Sequence, residues 1–230
     1  MKLKYLNLFG LIMMFIGLLF TSCEQDNYAL PGGGIKGSVL DANNKTVQTE
    51  QPGGIKIRMI EEKYGTGVTP NDFWCKADGT FENDFVFEGK YKVVPIEGAF
   101  FPVDSVEVDI NGVKNVDFKV VPYLTIDGSV NVNNGNVIVT YKLSRARVGG
   151  KITQAETLIS SYPTVSNIIN EKSITHDLSG INDVDVLNNQ YTDTITGLTS
   201  GNTYYVRVAA IATNSYNKYN YSTIFIISIP

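Results

Sequence analysis

The side chains best suited to chemistry here are aromatic rings set beside amides. The stretch NDFWCK carries Phe73 and the single tryptophan, Trp74, and GAFFPV carries Phe100 and Phe101. TNSYNKYNYS interleaves Tyr216, Tyr219 and Tyr221 with Asn217 and Asn220. Tyrosine with Asn and Ser is the make-up of adaptable recognition loops, in which rigid amphipathic rings sit among amide donors and acceptors. A sugar ring offers an apolar CH face and a rim of hydroxyls, and such a set fits it. Trp74, Tyr216, Asn217, Tyr219, Asn220 and Tyr221 are therefore the candidate ligand-binding residues. The competing reading buries aromatics in a core or between domains. For Phe73, Phe100 and Phe101 that reading is favoured; for the tyrosine loop both stand.

Catalysis is poorly supplied. Glycoside hydrolysis needs two carboxyls held roughly 5–9.5 Å apart across a cleft. The pairs Glu61/Glu62, Glu82/Asp84 and Asp183/Asp185 fall on expected turns or strand edges. Asp183 and Asp185 could offer oxygens to calcium, or be solvated loop acids. Cys75 as a nucleophile needs a basic neighbour, and the sole histidine, His176, lies far along the chain. A buried inert thiol and a surface or loop histidine are expected instead. GGGIKG satisfies G-x-G-x-x-G at Gly32, Gly34 and Gly37. It lacks the preceding strand and following helix of a dinucleotide site, so it reads as a hinge. The expectation is no enzyme, no cofactor and no metal.

The elements that must position these residues are strands. Short runs alternate apolar and polar residues between Gly, Asn, Asp and Pro, the pattern of an all-β chain. From about 33 to 122, GGIKIRMIEE puts Ile55, Ile57 and Met59 on one face, and GKYKVVP aims Tyr91 and Val93 together. DSVEVDING turns Val106, Val108 and Ile110 inward, VKNVDFKVVP does so with Val116, Phe118 and Val120, and Asp78-Gly79 supplies a tight turn. About seven strands make one sandwich. From 123 to 230 a second series follows, in which Val206, Val208 and Ala210 face inward and Arg207 outward. The stretch VSNIINEKSITHDLSGINDVDVLNN fits an irregular excursion or an extra strand.

The N-terminus gives an address. Lys2 and Lys4 precede an apolar run from Leu6 to Phe20, short for a span of roughly 20 residues. Basic, apolar and then small residues describe a secretory signal. With Thr21, Ser22 and Cys23 the pattern resembles the lipobox of bacterial lipoproteins, which implies a signal peptide over 1–22 and acylation of Cys23. Residues 23–32 then form an acidic, Gly-rich linker. Glu24 and Asp26 resemble the Bacteroidetes signal for export to the outer face of the outer membrane. Processing removes two lysines and takes the formal charge from −4 to −6. Nucleic acid, which demands a basic patch, is excluded as a partner.

The blocks carry family resemblances too. GSVLDANNK, DGTF, GKYKVVP and VEVDINGVKNVDFKV resemble a prealbumin-like, carboxypeptidase-regulatory fold. ITGLTSGNTYYVRVAA resembles the E–F corner of a fibronectin type III domain, which implies a tyrosine-corner role for Tyr204. The expected fold is two β-sandwich domains in tandem, prealbumin-like over 33–122 and fibronectin type III-like over 123–230. The whole chain resembles a Bacteroidetes family of surface lipoproteins of unknown function, carried by TEQPGGIKIRMIEE, TPNDFWCKADGTF, GKYKVVPIEGAFFPVDSVEVDI and GNTYYVRVAAIATNSYNKYNYS. That resemblance implies a lipid-anchored accessory of a starch-utilisation-system-like (Sus-like) glycan uptake system, partnered by a porin and glycan-capturing lipoproteins. The alternative is a docking module of that complex without glycan affinity.

Overall fold

The computed structural model describes residues 30–65 and 67–230. The signal run and Cys23 lie outside the described residues. Alternation builds the first sandwich. One sheet joins β1 (Gly33–Leu40) to β4 (Thr80–Val86) on one side, and to β7 (Val113–Asn115) and β8 (Phe118–Lys119) on the other. The facing sheet runs β3 (Asn71–Trp74), β2 (Lys56–Glu61), β5 (Gly89–Ile96), β6 (Val106–Ile110). Ile55, Ile57, Met59, Tyr91, Val93, Phe118 and Val120 are all buried between them, as period two requires. Val106 differs: it opens the edge strand β6 and is 41% exposed.

Two other local expectations change. The Asp78-Gly79 turn forms, with Gly79 at φ 81°, but β3 and β4 belong to opposite sheets. It therefore carries the chain across the sandwich rather than closing a hairpin. The glycines of GGGIKG are no hinge: Gly34 and Gly37 lie within β1. A Cβ on Gly37 would stand 1.8 Å from the Val116 carbonyl oxygen, so the glycine lets the β7–β8 connection pass against β1.

The second sandwich has the sheet β13 (Tyr191–Ile195), β10 (Asn136–Ser144), β9 (Thr125–Asn133). It faces β12 (Lys172–Asp177), β11 (Ile152–Ser160), β14 (Thr203–Ala212), with β15 (Asn220–Tyr221) and β16 (Phe225–Ser228) both on β14. Val137, Val139, Tyr141, Ile152, Val206 and Val208 form its core. The Tyr204 hydroxyl accepts from the Thr199 amide at 3.2 Å, the upstream tie that a tyrosine corner requires. The unassigned stretch resolves into β12 and a six-residue helix, α1 (Asp183–Asn188), whose first turn is capped by the Asn182 side chain accepting from Val184 N–H. Two tandem all-β domains are thus present, packed into one compact unit from Pro31 to Pro230.

Arg207 lies at their seam. Alternation turns it away from the second core, as expected, but that outer face is covered. The side chain is 1% exposed. Its guanidinium donates to the carbonyls of Thr49 (2.8 Å) and Ala77 (3.1 Å) in the first domain, and of Ser222 (3.0 Å) and Val165 (3.4 Å) in the second. Burial pushes its pKa down to about 10, so it stays charged at neutral pH.

Candidate functional site

The aromatic face is built on the antiparallel pair β2–β3. Its register sets Lys56 opposite Trp74 and Arg58 opposite Asp72. Ile57 and Met59 between them point into the core, so these four side chains share the outer surface. Trp74 is 40% exposed. The Lys56 ammonium stands 4.4 Å from the centre of its ring and pairs with Glu97 at 2.9 Å. Arg58 forks onto Asp72 with Nε–Oδ1 at 2.9 Å and Nη2–Oδ2 at 2.7 Å. This bond holds the Asp72 carboxyl below and the Arg58 guanidinium above their ordinary values.

Tyr216 reaches the same surface from the second domain. It is 53% exposed, and Arg58 and Tyr123 both lie within electrostatic reach of its phenol. The loop presenting it is held from inside. Asn214 Oδ1 accepts from Tyr216 N–H (3.2 Å) and Lys218 N–H (3.0 Å), and Nδ2 donates to Ala212 O and Lys218 O. Asn217, at φ 52°, is exposed at the tip. Tyr123 meets Phe101 edge-on at 4.8 Å between ring centres, and the Arg147 guanidinium lies 4.3 Å over Phe101. The result is a shallow surface of rings and planar polar pairs. Ring faces can take sugar CH groups, and a fixed Arg–Asp fork can both donate to and accept from hydroxyls.

The remaining candidate residues go elsewhere. Asn220 is 3% exposed. Its Oδ1 accepts from Leu124 N–H at 2.9 Å and its Nδ2 donates to Ala99 O at 2.8 Å, tying the two domains. Tyr221 is 6% exposed, stacked 4.3 Å under the Arg207 guanidinium, with its hydroxyl on Asn167. Tyr219 is half-buried beside Tyr221. Asn220 and Tyr221 are occupied at the seam and Tyr219 packs within the second domain, so the packing reading applies to all three. Of the phenylalanines, Phe100 is buried, Phe73 packs on the core, and Phe101 is half-buried. A cleft of about 640 Å³ also runs along the seam, between the Asp41–Gln48 loop and the start of β9. Its polar rim is largely engaged: Asp41 accepts from the amides of Asn43 and Lys45, and Thr125 bonds Ser144.

One acid of each candidate pair is likewise committed. Asp183 pairs with Lys151 (2.7 Å) and Arg145 (3.1 Å), so a calcium ion there would meet two cations. Glu82 pairs with Lys76 and Glu62 with Lys92. His176 is neither in a loop nor free. It lies on β12 with Nε2 2.7 Å from Asp193 Oδ1, and Thr157 donates to Oδ2 at 2.5 Å. Since β12 and β13 are in different sheets, this cluster bridges one side of the sandwich. Cys75 is 1% exposed, and burial pushes its thiol up to about 12, as an inert thiol requires.

The sequence reading missed Arg58, Asp72, Lys56 and Tyr123. The available signal was KIR against NDFW: in an antiparallel pair, alternate cations meet alternate acid and ring.

Residues 33–121 match the family model described as the N-terminal domain of a protein of unknown function (DUF3823), and residues 123–225 match its C-terminal domain of unknown function. A DUF3823 family protein from Bacteroides uniformis is 27% identical, with a TM-score of 0.77 over 87% of this chain and 100% of its own. A "putative carbohydrate binding protein" from the same organism is 23% identical, with a TM-score of 0.76 over 86% and 100%. A DUF3823 family protein from Parabacteroides merdae is 19% identical, with a TM-score of 0.74 over 87% and 100%. No curated protein matches the chain.

Proposed function

The chain belongs to the DUF3823 family, and from that premise we propose that it is a non-catalytic accessory protein that binds oligo- or polysaccharide at a bacterial cell surface. In this reading Cys23 carries the lipid, the anchor is in the outer membrane, and the protein serves a Sus-like uptake system beside its porin and glycan-capturing lipoproteins. The observation that carries it is the face joining Trp74, the Arg58–Asp72 fork and Tyr216. An exposed tryptophan beside a rigid polar pair is costly to leave in water and well matched to a pyranose. The fold shared with the Bacteroides uniformis "putative carbohydrate binding protein" is compatible with it. Among the described residues, the carboxylate pairs that a hydrolase could use are tied to cations or dispersed on the surface, which supports a non-catalytic role.

Isothermal titration against a panel of plant and host glycans tests the proposal, with Trp74→Ala as the control. Saturable binding that the variant weakens about tenfold supports it. A folded protein silent across the panel, yet recovered in stoichiometric complex with a porin, favours the docking alternative.

A further inference from the structure

The end of the first sandwich farthest from the seam carries apolar side chains that no described residue covers. Gly33 pairs with Val86, and Gly34 N–H donates to Gly112 O at 3.2 Å. The start of β1, the turn after β4 and the β6–β7 turn therefore meet at this end. The seam contacts through Thr49, Ala77 and Ala99 lie at the other end. Val86 points into the core, 2% exposed, so its two neighbours point the opposite way. Phe85 is 66% and Phe87 is 55% exposed. Val113, paired with Gly34 across β1, is 56% exposed. Gly34 has no side chain to separate the strands, and the place its Cβ would take is 3.3 Å from Val113 Cγ2. Val113 thus leans across β1 toward β4, onto the face that carries the phenylalanines.

We infer that this end of the molecule rests on a lipid surface, with Phe85, Phe87 and Val113 reaching its acyl chains. The inference rests on the reading of Cys23 as the lipid anchor. The chain enters the compact unit at Pro31, two residues before β1, at this same end. Seven residues lie between Cys23 and Pro31, eight Cα steps that reach at most about 28 Å. A lipid on Cys23 holds the patch within that distance of the bilayer, and a tether so short gives a high effective concentration for weak apolar contacts. Nearby charge is of both signs, Asp84 and Glu88 with Lys36 and Lys90, so the contact is apolar and persists in high salt. The same orientation lifts Trp74 away. Trp74 and Ile96 both pair with Lys56, and Ile96 is at the far end of β5 from Gly89, about 23 Å away at 3.3 Å per residue.

Trp74, as the sole tryptophan, supplies the control. The lipidated protein is reconstituted into phosphatidylethanolamine–phosphatidylglycerol vesicles doped with acyl-chain-brominated phosphatidylcholine. Wild-type emission should be unquenched. Phe87→Trp, and separately Phe85→Trp, should each add emission that falls by half or more in brominated vesicles, in 50 mM and in ~1 M salt alike. Added emission quenched no more than wild type, in folded and vesicle-bound protein, overturns the inference and leaves the anchor standing. An intact mass without acyl groups, in protein that still floats and is quenched, sinks the anchor but keeps the patch. Protein that neither floats nor is quenched overturns both.

Discussion

Arg207→Ala should break the coupling between the two domains. The guanidinium is the donor to carbonyls of four separate segments, two in each domain. Ala77 O also accepts from the Thr49 amide at 3.0 Å, so it keeps a partner. The carbonyls of Thr49, Val165 and Ser222 lose the guanidinium inside a buried interface. An orphaned buried acceptor costs about 1–3 kcal/mol. Part of that is offset, because the variant no longer desolvates a cation. The net loss is about 3–5 kcal/mol, or roughly 6–20 °C in Tm for a chain of this size. Half of the hydrogen bonds cross the seam, so the loss should be unequal between domains. Wild type should unfold in a single calorimetric transition, and Arg207→Ala in two. Arg207→Lys keeps the charge but lacks the planar fork, and should fall between. A single transition in Arg207→Ala, shifted by less than about 2 °C, would refute the argument that this side chain joins the domains.

Other outcomes follow from the same geometry. His176→Ala strips the Asp193 carboxylate, 4% exposed, of one of its two side-chain donors, and should cost about 2 kcal/mol in urea unfolding. Burial raises the Cys75 thiol to about 12, so a thiol reagent at pH 8 should label it only in denaturant. Burial alone would raise the Asp183 carboxyl, but the Lys151 bond, the Ile152 amide and both cations hold it below its ordinary value of 3.8. Its stabilisation is present above that value and is lost as pH falls through the lower folded one. Asp183→Asn should therefore flatten the acid limb of a Tm–pH curve, and an unchanged limb would contradict the pairing. Trp74→Ala should weaken glycan binding by about tenfold, near 1.4 kcal/mol, with little change in Tm.

The strands were legible because half-buried sheets write their faces into the chain at period two. Ile55, Ile57 and Met59, or Val206 and Val208, could hardly be read otherwise. Period two says which way a side chain points but not what stands opposite. Arg207 points away from its own core, as read, yet the first domain covers that face. Asn220 and Tyr221 look like loop residues for the same reason: their partners, Ala99 and Arg207, are remote in the chain or on another strand. Val106 shows the converse, a residue expected inward that the start of an edge strand leaves exposed. The site was half-legible. Trp74 and Tyr216 stood out by type, whereas the Arg58–Asp72 fork depended on the register of β2 with β3. The helix α1 was missed although Asn182 followed by Asp183 and Asp185 is a capping signal with first-turn acids. Six residues are too few to show a helical period.

The central claim is that a sugar sits on Trp74, and the emission of that one ring reports it directly. Titration of the native protein with oligosaccharides identified by calorimetry should give a saturable change in tryptophan emission with the same midpoint as the heat. Heat of binding with unchanged emission, retained in full by Trp74→Ala, would place the ligand elsewhere and contradict the account.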